Sequence, residues 1–117
     1  MNKTVLIVDD NPNMSALLSE MLEIFDFSSV SARNGHEALA ALEENKFSLV
    51  ITDIKMPEMS GIELLGKVKE INPKMPVVMI SGYSVGEFEN DEGFKPDGFL
   101  SKPFLMSDIE KLLNSLL

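Results

Sequence analysis

Three aspartates follow two apolar segments of the chain and could together perform chemistry. Asp9 and Asp10 end the apolar run 4–8, and Asp53 ends a second run over residues 47–52. In an open parallel sheet, ligands bind at the carboxyl ends of the strands, so residues that follow two strands can converge although they are distant in sequence. Grouped carboxylates suit a hard divalent cation such as Mg²⁺, which prefers oxygen ligands. The pattern therefore indicates a metal-assisted phosphoryl site.

The elements that must position these residues are indicated by short apolar runs that alternate with helical patterns. This alternation is typical of parallel strands joined by crossover helices. It predicts an α/β fold with three layers, in which a doubly wound sheet of five parallel strands is covered by five helices. The strands are predicted at residues 4–8, 28–32, 47–52, 77–80 and 98–100. The first, third and fourth are the most apolar and β-branched, as expected for central strands.

The starts of the helices are marked by capping residues. The first helix is predicted to begin behind Asn11, with Pro12 in its first turn and an apolar stripe at helical spacing. Three later helices show a side-chain acceptor followed three residues on by a glutamate, which is the spacing of a capping box. The pairs are Asn34 with Glu37, Ser60 with Glu63, and Ser107 with Glu110. The fourth helix, predicted within 84–97, contains two glycines and a proline and should be short or irregular.

Length, charge and cysteine content limit the class of protein. The 117 residues fit one compact domain, residues 1–117. A net charge of −9 opposes binding to nucleic acid or to anionic lipid, because both require a basic surface. The sequence shows neither the roughly 20-residue apolar stretch of a membrane-spanning helix nor a signal-peptide pattern, so a cytoplasmic location is expected. The absence of cysteine excludes disulfides and thiolate metal sites.

The chain resembles the receiver domains of two-component response regulators over its whole length. Four motifs carry the resemblance, and each follows a different predicted strand. They are Asp9-Asp10, the segment DIKMPEMSG at residues 53–61, Ser81-Gly82, and Lys102-Pro103-Phe104. Each motif alone is a weak signal, whereas four in this order are specific. The resemblance implies a flavodoxin-like sheet with the strand order 2-1-3-4-5.

The resemblance also implies a role for each residue of the site. Asp53 is expected to accept a phosphoryl group from a histidine kinase or a histidine phosphotransfer protein. Because a carboxylate attacks an anionic phosphoryl group poorly, cations must neutralise the charge. Lys102 would supply a fixed positive charge and Ser81 a hydroxyl donor, and the Lys102–Pro103 peptide bond is expected to be cis. The implied ligands of Mg²⁺, or of Mn²⁺ in its place, are Asp10, Asp53, the backbone carbonyl of Lys55, and Asp9 through a water molecule.

Further expectations concern signalling. Phosphorylation is expected to draw Ser81 inward and to let Phe99 turn into the vacated space, which changes the surface formed by helix four, strand five and helix five for a downstream effector protein or domain. Tyrosine is frequent in the family at the position of Phe99, so a readout through a ring hydroxyl is missing here. Helix four is expected to be the mobile element. Lys55 and Tyr83 are expected to tune the lifetime of the acyl phosphate, although Tyr83 is equally well explained as a cover for the loop edge.

Some residues have simpler explanations. Aspartate at a strand end also suits turns and caps, and for one aspartate alone that explanation would be preferred. His36 is expected to be a surface residue without a function. The eight methionines are expected to fill gaps in the core, while Met56 and Met59 are also candidates for lining the site or its partner surface.

Three classes of function are compatible with the sequence. The first is a phosphorylatable receiver, a monomer or phosphorylation-dependent dimer that catalyses its own phosphorylation and dephosphorylation and docks a kinase around residues 13–15. The second is a pseudo-receiver, an interaction module without the chemistry, against which the intact set of site residues argues. The third is a Mg²⁺-dependent phosphohydrolase of the aspartyl-phosphate kind. That class usually carries Asp-x-Asp after the first strand, whereas position 11 of this chain, where the second aspartate would stand, is Asn11.

The sequence ends with the last apolar turn of the fifth helix, so a single-domain regulator, a phosphorelay intermediate and part of a longer protein all remain open.

Overall fold

The five predicted strands form one parallel sheet in the computed structural model, which describes residues 3–81 and 95–117. The strand order is β2-β1-β3-β4-β5, so the predicted fold class and sheet order are confirmed. Four strands extend one residue beyond their predicted bounds, while β3 begins two residues later than predicted and includes Asp53. The strands are β1 (Lys3–Val8), β2 (Phe27–Ala32), β3 (Leu49–Asp53), β4 (Val77–Ser81) and β5 (Gly98–Ser101).

Four helices cover the sheet within the described residues. They are α1 (Pro12–Ile24), α2 (Gly35–Glu44), α3 (Gly61–Ile71) and α4 (Met106–Leu116). The last of these corresponds to the fifth predicted helix. The fourth predicted helix lies outside the described residues, apart from residues 95–97, which are not helical. None of the helices in the described ranges is long and apolar enough to cross a lipid bilayer.

Side chains of the central strands alternate between two apolar layers, as the two-residue period of a strand requires. Leu6 and Val8 of β1 belong to the α2/α3 layer, the buried cluster between the sheet and those two helices. Val5 and Ile7 belong to the α1/α4 layer on the opposite face. All four side chains are fully buried, which explains why β1 is apolar at every one of these positions. Asp9 comes directly after this buried strand.

Capping side chains fix three helix starts where the sequence predicts them. Asn11 Oδ1 accepts a hydrogen bond from the Asn13 amide at 2.9 Å and caps α1. Asn34 and Ser60 likewise accept from the amides three residues on. Because α2 follows the end of β2 and α3 follows the end of β3, both helices start near the carboxyl ends of the strands, where the aspartates lie.

The predicted cap of the last helix is wrong. α4 begins at Met106, before Ser107, and its N-cap residue is Leu105. The Leu105 amide donates to Asp108 Oδ2 at 2.7 Å, so Asp108 performs the role predicted for Glu110. The error has a physical cause, because acidic side chains at 108 and 110 both lie near the helix start and spacing alone does not select between them.

A buried lysine connects α3 to the start of β5 at the end of the sheet opposite the aspartates. Lys69 Nζ donates to the Met75 carbonyl and to Asp97 Oδ2, both at 2.7 Å. The same Asp97 oxygen accepts from the Val77 amide at 2.9 Å. Buried charges are tolerated when they are paired in this way. Sequence analysis did not identify this contact.

Candidate metal and phosphoryl site

Asp9, Asp10 and Asp53 converge at the carboxyl ends of β1 and β3. These strands are neighbours, with Val8 paired to Thr52 in the last register position. One carboxylate oxygen from each of the three aspartates lies within 4.8 Å of the others. Asp9 is buried, Asp53 is half-buried and Asp10 is exposed. The convergence expected from strand topology is therefore present, and it forms a cluster open to solvent on the side of Asp10.

The carboxylate of Asp9 is only partly satisfied. Its Oδ1 accepts a hydrogen bond from the Asn11 amide at 2.9 Å, whereas its buried Oδ2 has no hydrogen-bond partner within residues 3–81 and 95–117. Burial raises the pKa of Asp9 above its ordinary value, and the neighbouring Asp53 and Asp10 charges add to the increase. The Asn11 amide and Lys102 act in the opposite direction. A bound cation would neutralise the repulsion among the three carboxylates and would give Asp9 Oδ2 an electrostatic partner.

The donor set fits Mg²⁺. Hard cations take carboxylate, carbonyl and water oxygens, and Mg²⁺ keeps several of its waters. Asp10 is exposed and Asp53 is half-buried, so both offer oxygens that solvent can reach, while Asp9 adds a buried oxygen, Oδ2, without a partner in the described residues. Lys55, whose carbonyl the resemblance adds to the ligand set, is an exposed residue in the loop that follows β3.

Lys102 supplies a fixed positive charge on the other side of Asp53. Its Nζ lies 3.8 Å from Asp53 Oδ2, which is within ion-pair distance but too far for a strong hydrogen bond. The other oxygen of Asp53, Oδ1, accepts from the Ile54 amide at 2.8 Å. Lys102 is anchored after β5, where its amide donates to the Ser81 carbonyl at 2.8 Å, and the bond from Lys102 to Pro103 is cis. Asp53 therefore belongs to the acidic cluster and also lies within ion-pair distance of the Lys102 ammonium.

The two residues predicted to move on phosphorylation, Ser81 and Phe99, lie on adjacent strands. Ser81, the last residue of β4, is buried and is paired with Ser101 in the sheet register. Phe99 is half-buried and packs against the α2/α3 layer. The position of Tyr83 lies outside the described residues, so the predicted shield of the phosphoryl group is not placed.

The remaining candidates separate into surface and core residues. His36 is exposed as expected, and its Nε2 lies 3.9 Å from Glu58 Oε2. Met59 is a core residue that occupies the space where a side chain on Gly35 would lie. Met56 is half-buried in the loop after Asp53. Of the two candidate methionines, Met56 is therefore the one left beside the site.

Asn11 has a second function that the sequence analysis missed. Its side chain caps α1, while its backbone amide holds Asp9 Oδ1. One residue therefore orients both the helix start and a carboxylate of the cluster. The signal was Asp9 itself, because an aspartate side chain often accepts a hydrogen bond from the backbone amide two residues on.

The raised pKa of Asp9 predicts a stability difference that depends on pH. The folded state keeps the Asp9 proton to higher pH than the unfolded state, so ionisation destabilises the fold as pH rises from the ordinary value of 3.8 through the raised folded pKa. In EDTA at pH 7, we expect Asp9→Asn to exceed the wild type in unfolding free energy by about 1 kcal/mol, since one buried, unsatisfied charge is removed. Denaturant unfolding followed by circular dichroism should show that this difference shrinks toward pH 4. A difference independent of pH would contradict the assignment.

The chain is similar in sequence to known proteins. The family model described as response regulator receiver domain matches residues 5–114. The response regulator receiver protein CpdR of Brucella abortus is 37% identical over 116 residues, which cover 95% of this chain and 97% of CpdR. Other relatives are longer, and the chain spans 13% of one and 49% of another.

Solved structures show the same similarity. Chemotaxis protein CheY4 of Vibrio cholerae matches with a TM-score of 0.91 and 28% identity, covering 100% of both chains. Response regulator TrrA of Thermotoga maritima, solved in complex with Mg²⁺-BeF, matches with a TM-score of 0.90 and 30% identity, covering 98% of this chain and 99% of TrrA. The family match covers most of the chain and the similarity to CpdR spans nearly all of it, so the chain belongs to the family of response regulator receiver domains.

Proposed function

We propose that this receiver domain accepts a phosphoryl group on Asp53 in a Mg²⁺-dependent reaction, with a histidine kinase or a histidine phosphotransfer protein as donor. The observation that carries the proposal is the placement of the Asp53 carboxylate. It lies within 4.8 Å of two further carboxylates and 3.8 Å from the Lys102 ammonium. An anionic nucleophile needs cationic neighbours before it can approach a phosphoryl group; the Lys102 ammonium is one, and a metal ion held by the carboxylates would be the other.

The ligand set that we propose consists of Asp10, Asp53 and the backbone carbonyl of Lys55, with Asp9 acting through water. When bound, Mg²⁺ supplies the charge neutralisation that allows anion to approach anion. The Ile54 amide holds Asp53 Oδ1, so the orientation of the nucleophilic carboxylate is fixed before the reaction.

During transfer, an oxygen of Asp53 forms a bond to phosphorus while the bond from phosphorus to the donor's histidine nitrogen breaks. Lys102 then pairs with a phosphoryl oxygen, since its ammonium is a point charge that tolerates a change of partner. Ser81, buried at the end of β4, donates its hydroxyl to another phosphoryl oxygen. The receiver thus catalyses its own phosphorylation, and attack by water on the acyl phosphate would release inorganic phosphate and restore the Asp53 carboxylate.

The signal would pass from Ser81 to Phe99. The two residues lie on paired strands, and Phe99 is half-buried against the α2/α3 layer. Movement of Ser81 toward the phosphoryl group would allow Phe99 to pack more deeply and would alter the surface of β5 and α4 that an effector contacts. Lys55, exposed beside the site, and Tyr83 would influence how fast water reaches the acyl phosphate.

The test is phosphorylation of the purified chain by a small-molecule donor. We expect incubation with acetyl phosphate or phosphoramidate and Mg²⁺ to add one phosphoryl group, measured by intact-protein mass spectrometry. Replacing Mg²⁺ by EDTA should slow the uptake by at least about 100-fold, the scale of losing the main electrostatic contribution. Hydroxylamine should remove the adduct, because it cleaves acyl phosphates and leaves phosphoserine intact. Binding of Mg²⁺ without any adduct, even at the shortest reaction times, would instead favour the pseudo-receiver.

A further inference from the structure

We propose that the hydroxyl of Thr52 is a positioning group for the loop that follows Asp53 and thereby sets the affinity of the site for Mg²⁺. The proposal rests on the proposed function, because it assumes that the Lys55 carbonyl in this loop is a metal ligand. Thr52 would not touch the metal or the phosphoryl group. It would act through the backbone of residues 53–56.

The burial of Thr52 is the first argument. Its exposed fraction is 0%, and its neighbours in the sheet register are Val8 and Met79, which are also fully buried. An apolar environment favours valine, which has nearly the same shape and avoids the desolvation of a hydroxyl. A hydroxyl at this position therefore needs a hydrogen-bond partner to offset that desolvation.

The hydrogen-bond partner of the Thr52 hydroxyl lies at the start of the loop that follows β3. Thr52 Oγ1 donates to the backbone carbonyl of Asp53 at 3.0 Å. The same oxygen lies 4.0 Å from Met56 Sδ, a weaker contact. The single hydroxyl proton goes to the Asp53 carbonyl, so the hydroxyl holds the start of the short segment that carries the proposed carbonyl ligand, while Met56 packs beside it.

A glycine closes the other side of the same carbonyl. A Cβ at Gly61 would clash with the Asp53 carbonyl oxygen, and the Gly61 amide donates to the Ile54 carbonyl at 2.7 Å. The Asp53 carbonyl is therefore confined between the Thr52 hydroxyl and the first residue of α3. Removal of the hydroxyl frees one side of this contact and leaves the glycine side intact.

The expected consequence is a change in metal affinity. Groups that orient metal ligands without touching the metal typically contribute 10-fold to 100-fold to affinity. We expect Thr52→Val to weaken Mg²⁺ binding by about 10-fold at the low end of that range, because the hydroxyl orients one neutral ligand and the three carboxylates remain. Thr52→Ser keeps the hydroxyl and should bind Mg²⁺ within about 3-fold of the wild type.

The experiment is calorimetric titration of Mg²⁺ into the unphosphorylated full chain and its variants at pH 7. Leu6→Val serves as the matched control, since it removes one methylene from the same α2/α3 layer at a distance from the loop and should leave the Mg²⁺ affinity unchanged. If Thr52→Val does not fold by circular dichroism, Thr52→Ala is the second variant without a hydroxyl.

The outcomes separate the two proposals. Unchanged affinity in the hydroxyl-free variants, equal weakening in Thr52→Ser, or no Mg²⁺ binding by the wild type would each overturn the role of Thr52. Failure of the proposed function has a different signature, in which the wild type binds Mg²⁺ but Asp53 acquires no phosphoryl group. Weakening in Thr52→Val together with rescue by Thr52→Ser supports the inference in either case.

Discussion

Asp53→Asn is expected to abolish phosphoryl uptake completely. The amide has nearly the same volume as the carboxylate, but its oxygen carries no negative charge and does not act as the nucleophile. The substitution also removes one of three clustered charges, so the fold should be at least as stable as that of the wild type. The measurement is intact mass after incubation with acetyl phosphate and Mg²⁺, where the single adduct of the wild type should be missing.

The matched control for this prediction is Asp26→Asn. Asp26 is exposed and lies between α1 and the start of β2, at the end of the sheet opposite the site. Its φ of 66° is left-handed, a conformation that asparagine adopts readily, so the same chemical change is tolerated there. This variant should be phosphorylated like the wild type. Persistence of the adduct in Asp53→Asn at the wild-type rate would place the acceptor elsewhere, and peptide mapping would identify it.

Lys102→Met is expected to slow phosphoryl uptake by about 100-fold to 1000-fold, the range seen when one preorganised electrostatic contact to a transition state is removed. Lys102 Nζ lies 3.8 Å from Asp53 Oδ2, close enough to pair with a phosphoryl oxygen on that residue. Methionine retains most of the side-chain volume and loses the charge. Initial rates of adduct formation at saturating Mg²⁺ give the measurement.

The affinity for Mg²⁺ distinguishes this explanation from a damaged site. Lys102 repels a divalent cation bound at the neighbouring carboxylates, so Lys102→Met should bind Mg²⁺ at least as tightly as the wild type. Lys111→Met, which removes an exposed lysine of α4, is the control and should leave both quantities unchanged. Slow uptake accompanied by weaker Mg²⁺ binding would show that Lys102 supports the structure of the site and that the charge argument is wrong.

Much of the fold could be predicted because its determinants are local. Apolar runs located the strands, and the caps at Asn11, Asn34 and Ser60 located three helix starts. The start of β3 was less accurate, because Phe47 is buried but precedes the strand, and apolarity alone does not separate a core residue in a loop from one in a strand. The start of α4 was wrong because two acidic residues compete for one capping position.

The candidate site was predictable to the level of which residues converge. Parallel topology brings Asp10 and Asp53 to one edge without any knowledge of side-chain positions. The unsatisfied oxygen of Asp9 and the hydroxyl of Thr52 were not predictable, since both depend on which atoms face which carbonyl or amide. Lys69 was missed for a related reason, because its partners at 75 and 97 are remote from it in sequence.

The contact between Lys69 and Asp97 restricts how the sequence can diverge. Loss of the lysine alone would remove the ammonium donor from the Met75 carbonyl and from the Asp97 carboxylate, which would keep the Val77 amide. Loss of the aspartate alone would leave a nearly buried ammonium short of an anion. Leaving a buried charge without its partner costs more than replacing both members of the pair by apolar residues, and Lys69 is the buried member here. Positions 69 and 97 should therefore covary among relatives although 28 residues separate them, and an arginine at 69 should be accompanied by an acidic residue at 97.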